Sequence, residues 1–100
     1  MKKILSVLGS TGSIGRQTLE VARSLTLPIC ALAARSNVAL LEQQIREFKP
    51  QLAAVFDLDA AEKLKQAVRD MPVRVVTGMD GLCEAASAAQ ADVVVNAVIN

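Results

Sequence analysis

Between the apolar run Ile4 to Leu8 and an amphipathic stretch that begins at Ser13 stands Gly9-Ser10-Thr11-Gly12-Ser13-Ile14-Gly15. Glycine at every third position in this setting specifies a strand, a tight turn and a helix in succession. Glycine lacks Cβ, so the turn can take positive φ and a phosphate can approach the main chain closely. The first helical turn leaves N–H groups unpaired, and the helix dipole adds partial positive charge there. Together these features make an anion site that suits a dinucleotide pyrophosphate. The spacing is GxxGxxG rather than the better-known GxGxxG, and a strand–helix turn without a ligand is the alternative reading.

The rest of the chain repeats the same alternation. A first strand is expected over roughly Lys3 to Leu8 and a first helix over Ser13 to Leu25. Ile14, Thr18, Val21, Ala22 and Leu25 recur at helical spacing and are expected to face the sheet, with Arg16, Gln17, Glu20 and Arg23 outside. Pro28 opens a second strand, Ile29 to Ala34. Asn37 is a helix cap. The helix behind it carries the stripe Val38, Leu41, Ile45, Phe48 and an exposed Glu42–Arg46 pair, and ends at Lys49-Pro50. Leu52 to Phe56 is the third strand. Asp59-Ala60-Ala61-Glu62 has the form of a capping box for a third helix, with Ala60, Leu64, Ala67, Val68 and Met71 inward. Val73 to Thr77, a helix capped by Asp80 and running to Ala89, and Asp92 to Ile99 complete the series. Leu82, Ala85, Ala86 and Ala89 are the expected inner face of that last helix.

This pattern predicts an α/β fold: a Rossmann-like, doubly wound parallel sheet of five strands and four helices, with residues 1–100 as one domain. The expected strand order is 3-2-1-4-5 with the first strand central; 2-1-3-4-5 is the topological rival. Composition agrees with a doubly covered sheet. The chain is 52% hydrophobic with only Phe48 and Phe56 as aromatics, so its core is aliphatic.

Charge and cysteine content narrow the function classes. A net charge of +1 gives no field for nucleic acid or an anionic membrane. The Met1-Lys2-Lys3 start with its apolar run reads as a first strand rather than a signal peptide, because the run is short and glycines follow at once. Cys30 and Cys83 are expected to be buried, reduced thiols in a cytoplasmic protein. Histidine is absent and no Cys-x-x-Cys occurs, which disfavours a zinc site and excludes Ser–His and Cys–His arrangements.

Ala34-Arg35-Ser36-Asn37 lies about 20 residues beyond Gly15, where an acidic residue holds the ribose hydroxyls in NAD enzymes. Here a cation, a hydroxyl and an amide stand instead, before a helix N-terminus. That set favours a 2′-phosphate, hence NADP; a surface arginine beside an ordinary Asn cap is the alternative. No catalytic carboxylate pair stands out, since Asp57, Asp59, Asp80 and Asp92 have turn or cap roles. Asn96, within the fifth strand, is expected as a buried polar group near the crevice, with structural packing as its role.

Gly9 to Arg23, Ala31 to Pro50 and Ala91 to Ile99 together resemble the amino-terminal domain of the 1-deoxy-D-xylulose 5-phosphate reductoisomerase family, and the likeness runs along nearly the whole chain. The resemblance implies an NADPH-dependent oxidoreductase of non-mevalonate isoprenoid biosynthesis. Such an enzyme rearranges the sugar-phosphate skeleton and reduces the product to 2-C-methyl-D-erythritol 4-phosphate with Mg²⁺ or Mn²⁺. By position, Thr11, Gly12, Ser13 and Ile14 would meet the pyrophosphate, and Arg35, Ser36 and Asn37 the 2′-phosphate end. Many members carry Gly at Arg35, and some Lys or Arg at Ser36, so the cation stands one position off. The family's metal ligands, substrate site and lid lie beyond residue 100. The expectation is thus a cofactor-binding piece that is inactive alone, without catalytic or metal residues of its own, and homodimeric when full-length. Another NADP-dependent oxidoreductase and a non-catalytic nucleotide-binding module are the competing functions.

Overall fold

The computed structural model describes residues 2–97, and the expected end of the fifth strand beyond Ala97 lies outside them. Five strands alternate with four helices: β1 (Leu5–Leu8), α1 (Ser13–Leu25), β2 (Ile29–Ala34), α2 (Val38–Phe48), β3 (Leu52–Val55), α3 (Leu58–Ala67), β4 (Arg74–Thr77), α4 (Gly78–Ala86) and β5 (Val93–Asn96). All four strand pairings are parallel. Every residue of β1, β2 and β3 is buried, as a sheet covered on both faces requires.

The strand order is β4-β3-β2-β1-β5. This corrects the expected 3-2-1-4-5: β4 continues outward beyond β3, and β5 takes the place beside β1. The first strand is therefore next to an edge, and β2 is central. Right-handed crossovers explain how the chain does this. Helices α1, α2 and α3 carry it outward along one face, where Leu19, Ala22, Leu41, Ile45, Ala61 and Leu64 pack on Val7, Leu32 and Val55. Helix α4 then runs back across the other face, packing on β4, β3, β2 and β1. Small side chains make that crossing possible. Ala31, Ala33 and Ala54 form a low surface, and Ala85 is fully buried against it. Gly81 sits so close to β4 that a Cβ there would lie 3.0 Å from the Val76 carbonyl carbon. The fully buried Ser6 hydroxyl donates to the Ala85 carbonyl oxygen at 2.8 Å, which fastens α4 to β1. A register shift between Leu5 and Ser6, opposite Ile29 and Ala31, puts both Cys30 and Ala31 on the α4 side.

Several local expectations need correction. The bounds of α1 agree, but its buried face is Gly15, Leu19 and Ala22. Ile14, Val21 and Leu25 are more than half exposed. The rotation follows from Gly15: a Cβ there would stand 2.0 Å from the Gly9 carbonyl oxygen, so the helix docks through this glycine. Asn37 caps α2 as expected, its Oδ1 accepting from Leu40 N at 3.2 Å. Asp57, not Asp59, caps α3, accepting from Ala60 N at 2.9 Å. Thr77, not Asp80, is the N-cap of α4, because Gly78 at φ 72° turns the chain directly from strand to helix. That helix ends at Ala86, so Ala86 and Ala89 are exposed rather than inward, and Cys83 is also exposed.

Candidate functional site

The glycine turn lies at the carboxyl end of β1, next to the carboxyl end of β2. Gly9 takes φ 81°, and its N–H and that of Ser10 both donate to the Ala33 carbonyl oxygen, at 2.7 and 2.9 Å. Gly12 N–H then closes the turn on Gly9 O at 3.2 Å. Gly12 is the N-cap of α1, with φ −82° and ψ 175°. It has no capping side chain, and the first turn of α1 holds no acidic residue. The positive end of the helix dipole is therefore unopposed by any side chain of that turn. Arg16, expected on the outer face, folds back so that its Nε donates to the Gly12 carbonyl at 3.4 Å, which keeps a cation beside the turn.

The three glycines have different reasons to be glycine. Gly9 needs positive φ. Gly15 is demanded by packing, as its distance to Gly9 O shows. Gly12 meets neither requirement. Its φ suits any residue, and the nearest atom to a Cβ there, Gly9 O, would be 3.6 Å away, an ordinary contact. The fold does not need a glycine at residue 12, and the space in front of it is open.

Arg35, Ser36 and Asn37 are exposed at the carboxyl end of β2. Both candidate groups thus lie on the same edge of the sheet, joined through Ala33 and Ala34. Among the described residues no carboxylate pairs with Arg35. The Asn37 Oδ1 is engaged as the α2 cap, which leaves its NH₂ as the group that can turn outward. The β3–α3 turn adjoins this corner: Phe56 N donates to Ala34 O at 3.0 Å and Asp57 N to Arg35 O at 2.9 Å. Thr11 is half-buried, whereas Ser13 and Ile14 are exposed. Asn96 is exposed, not buried, and pairs in register with Leu8 across β1 and β5. The chain reverses its direction of winding at that β1/β5 junction, where open α/β sheets bind ligands.

Gln44 had no signal at the level of sequence except that a polar residue interrupts the buried stripe of α2. It is 6% exposed, and its Nε2 donates to the Ser10 carbonyl at 2.8 Å. Away from this edge, Arg46 clamps α2 to α3, bonding Asp70, Glu42 and the Ala67 carbonyl. Its hydrogen bonds hold the Asp70 carboxyl below the usual aspartate range, and Arg23 does the same to Glu47. Burial pushes the Cys30 thiol up, which makes it a poor nucleophile. A shallow cleft of about 340 Å³ lies at the opposite, amino-terminal edge of the strands, between Gln51, Arg74 and Glu84. Among the described residues no group of three His, Cys, Asp or Glu side chains could hold a metal ion, and no helix is long and apolar enough to cross a membrane.

Comparison with known proteins places this geometry in context. Residues 5–100 match the family described as 1-deoxy-D-xylulose 5-phosphate reductoisomerase. A curated relative of that description from Lachnoclostridium phytofermentans is 57% identical over 98 residues, covering 97% of this chain and 25% of its own length. A solved structure of DOX-P reductoisomerase with magnesium superposes with a TM-score of 0.94 at 34% identity, over 100% of this chain and 26% of that one. The enzyme of Zymomonas mobilis in complex with NADPH gives a TM-score of 0.92 at 33% identity, over 100% and 27%. The chain spans about a quarter of the length of the curated relatives it matches.

Proposed function

The chain belongs to the 1-deoxy-D-xylulose 5-phosphate reductoisomerase family, and on that premise we propose that residues 1–100 are the NADPH-binding domain of such an enzyme. The observation that carries the reading is Gly12, a glycine the fold does not require, at a helix N-terminus with no cap and no acidic residue. A missing Cβ that neither packing nor φ demands, at the positive end of a helix dipole, is what close approach of a pyrophosphate uses. The residues present therefore fit the group.

In this reading the main chain of Thr11, Gly12, Ser13 and Ile14 binds the pyrophosphate. Arg35, the Ser36 hydroxyl and the Asn37 NH₂ bind the 2′-phosphate by charge-assisted and neutral hydrogen bonds. NADPH supplies the hydride when bound. The chain's own residues would hold its two anionic parts on one edge of the sheet, beside the β1/β5 switch point where open α/β sheets bind ligands. The structure of a relative with NADPH supports the reading by likeness of fold.

For the whole protein the proposal extends to isomerisation and reduction of 1-deoxy-D-xylulose 5-phosphate to 2-C-methyl-D-erythritol 4-phosphate in non-mevalonate isoprenoid biosynthesis. It also includes a Mg²⁺ or Mn²⁺ ion held by parts outside this segment, a cytoplasmic location and a homodimer. Titration with NADPH, NADH and ATP tests the cofactor assignment. NADPH should bind the most tightly; preference for ATP would instead identify a nucleotide-binding module of another kind.

A further inference from the structure

We propose that Gln44 is a positioning residue for cofactor binding: it fixes the Ser10–Thr11 peptide of the glycine turn and couples that turn to the helix that follows Arg35, Ser36 and Asn37. The inference rests on the cofactor reading above. Gln44 lies between the fully buried Leu41 and Ile45 on the inner side of α2, a position where packing alone would favour an aliphatic side chain. Burying a carboxamide is unfavourable unless its hydrogen bonds are replaced. Here only half of it is satisfied. Nε2 donates to Ser10 O at 2.8 Å, while Oε1 has no partner among the described residues, and neither has the Ser10 hydroxyl. A polar residue kept at a core position with one acceptor unpaired calls for a role other than packing.

That role follows from peptide geometry. Ser10 N–H is tied to the Ala33 carbonyl on β2, and Ser10 C=O to Gln44 on α2. No cis peptide bond occurs among the described residues. In a planar trans peptide the C=O and the next N–H point in opposite directions. Drawing the Ser10 carbonyl inward to Gln44 therefore turns the Thr11 N–H away from α2. Thr11 is one of the residues assigned to the pyrophosphate. Without the Gln44 bond, this peptide could rotate and present its carbonyl oxygen where the phosphate needs a donor. The same α2 begins at the Asn37 cap, so a single rigid element sets the spacing between the two phosphate-binding groups.

The test uses a reductoisomerase carrying this segment, with two probes, NADPH and 2′-AMP. The second lacks the pyrophosphate and reports only on the Arg35 corner. Gln44→Met keeps the volume and removes the donor. It should weaken NADPH about ten-fold, the scale of one lost hydrogen bond to a buried carbonyl, while 2′-AMP stays within about two-fold. Gln44→Glu adds a pH profile. Burial and the facing Ser10 carbonyl raise its carboxyl pKa. The protonated form donates in place of Nε2, so the ratio of its NADPH affinity to that of the unsubstituted protein at the same pH should be close to one at low pH and fall as pH rises through that value. Equal weakening of both probes by Gln44→Met would reduce the residue to a packing role and overturn the proposal. A loss of affinity by Gln44→Glu that is the same at every pH would do the same. If the unsubstituted protein binds NADPH and Gln44→Met matches it, the positioning role alone fails. If the unsubstituted protein does not bind NADPH, the cofactor reading fails and this inference with it.

Discussion

Substituting alanine at Gly12 and at Gly15 should produce opposite defects, although the two residues are three apart in one turn. At Gly15 the new Cβ would stand 2.0 Å from the Gly9 carbonyl oxygen and 2.7 Å from Ser10 Cα. Both are backbone atoms, so α1 must retreat by well over an ångström or the turn must deform. Overpacking of this kind costs about 3 kcal/mol at its upper end. Better helix propensity returns about 1 kcal/mol, which leaves a net loss of about 2 kcal/mol. At Gly12 the backbone is extended and the nearest contact would be 3.6 Å. Alanine is a poorer N-cap than glycine by about 0.5–1 kcal/mol, and reduced freedom of the unfolded chain returns about 0.4–1 kcal/mol. The expected change in stability is near zero. The chain has no Trp or Tyr, so far-UV circular dichroism in urea is the folding readout. With a slope of about 2 kcal/mol per molar, Gly15→Ala should lower the midpoint by about 1 M and Gly12→Ala should leave it nearly unchanged. NADPH titration should show the reverse ranking, with Gly12→Ala weakened and Gly12→Val without measurable binding while still folded. A stable Gly15→Ala, or a folded Gly12→Val with unchanged affinity, would refute the division of the turn into a packing glycine and a ligand glycine.

Other outcomes can be read from the same structure. Arg35→Asp should reverse a preference for NADPH over NADH of about ten- to a hundred-fold, measured by calorimetry, because it repels the 2′-phosphate and can accept from ribose hydroxyls; Arg35→Ala should cost less if the Ser36 hydroxyl and Asn37 NH₂ carry the contact. Ser6→Ala should destabilise the fold by about 1 kcal/mol in urea unfolding, since the buried Ala85 carbonyl loses its donor. The Asp70 carboxyl is held low by Arg46, so its contribution is present above the ordinary aspartate range and lost as pH falls through the depressed folded value. Arg46→Leu should therefore lower stability at neutral pH and flatten its acid dependence, measured as unfolding midpoints across that range.

Much of the fold was legible because its signals are local. Pro28 and the capping Asn37 bracket β2 and the start of α2, and the glycine turn sets the first residue of α1. What failed depended on tertiary contact. The stripe Ile14, Val21, Leu25 is as regular as the buried row Gly15, Leu19, Ala22, and only the clash that Gly15 avoids decides between them. Strand order was not legible either, since alternating strands and helices are compatible with several orders. The deciding features are contacts distant in sequence: the alanine surface under α4 and the Ser6–Ala85 bond, the latter between residues 79 apart. At the candidate site, the residue types of the glycine turn and of Arg35 to Asn37 were visible in sequence. Gln44 was not, because a polar residue next to a buried stripe looks like a solvated flank until its partner is known.

Amide chemical-shift mapping on the isotope-labelled chain tests the assignment most directly, since it registers weak binding residue by residue. Added NADPH should shift the amides of Thr11, Gly12, Ser13 and Ile14 together with those of Arg35, Ser36 and Asn37, and 2′-AMP should shift only the second group. Shifts confined to the opposite edge around Gln51, Arg74 and Glu84, or no saturable change with NADPH, would contradict a cofactor site at the carboxyl ends of β1 and β2.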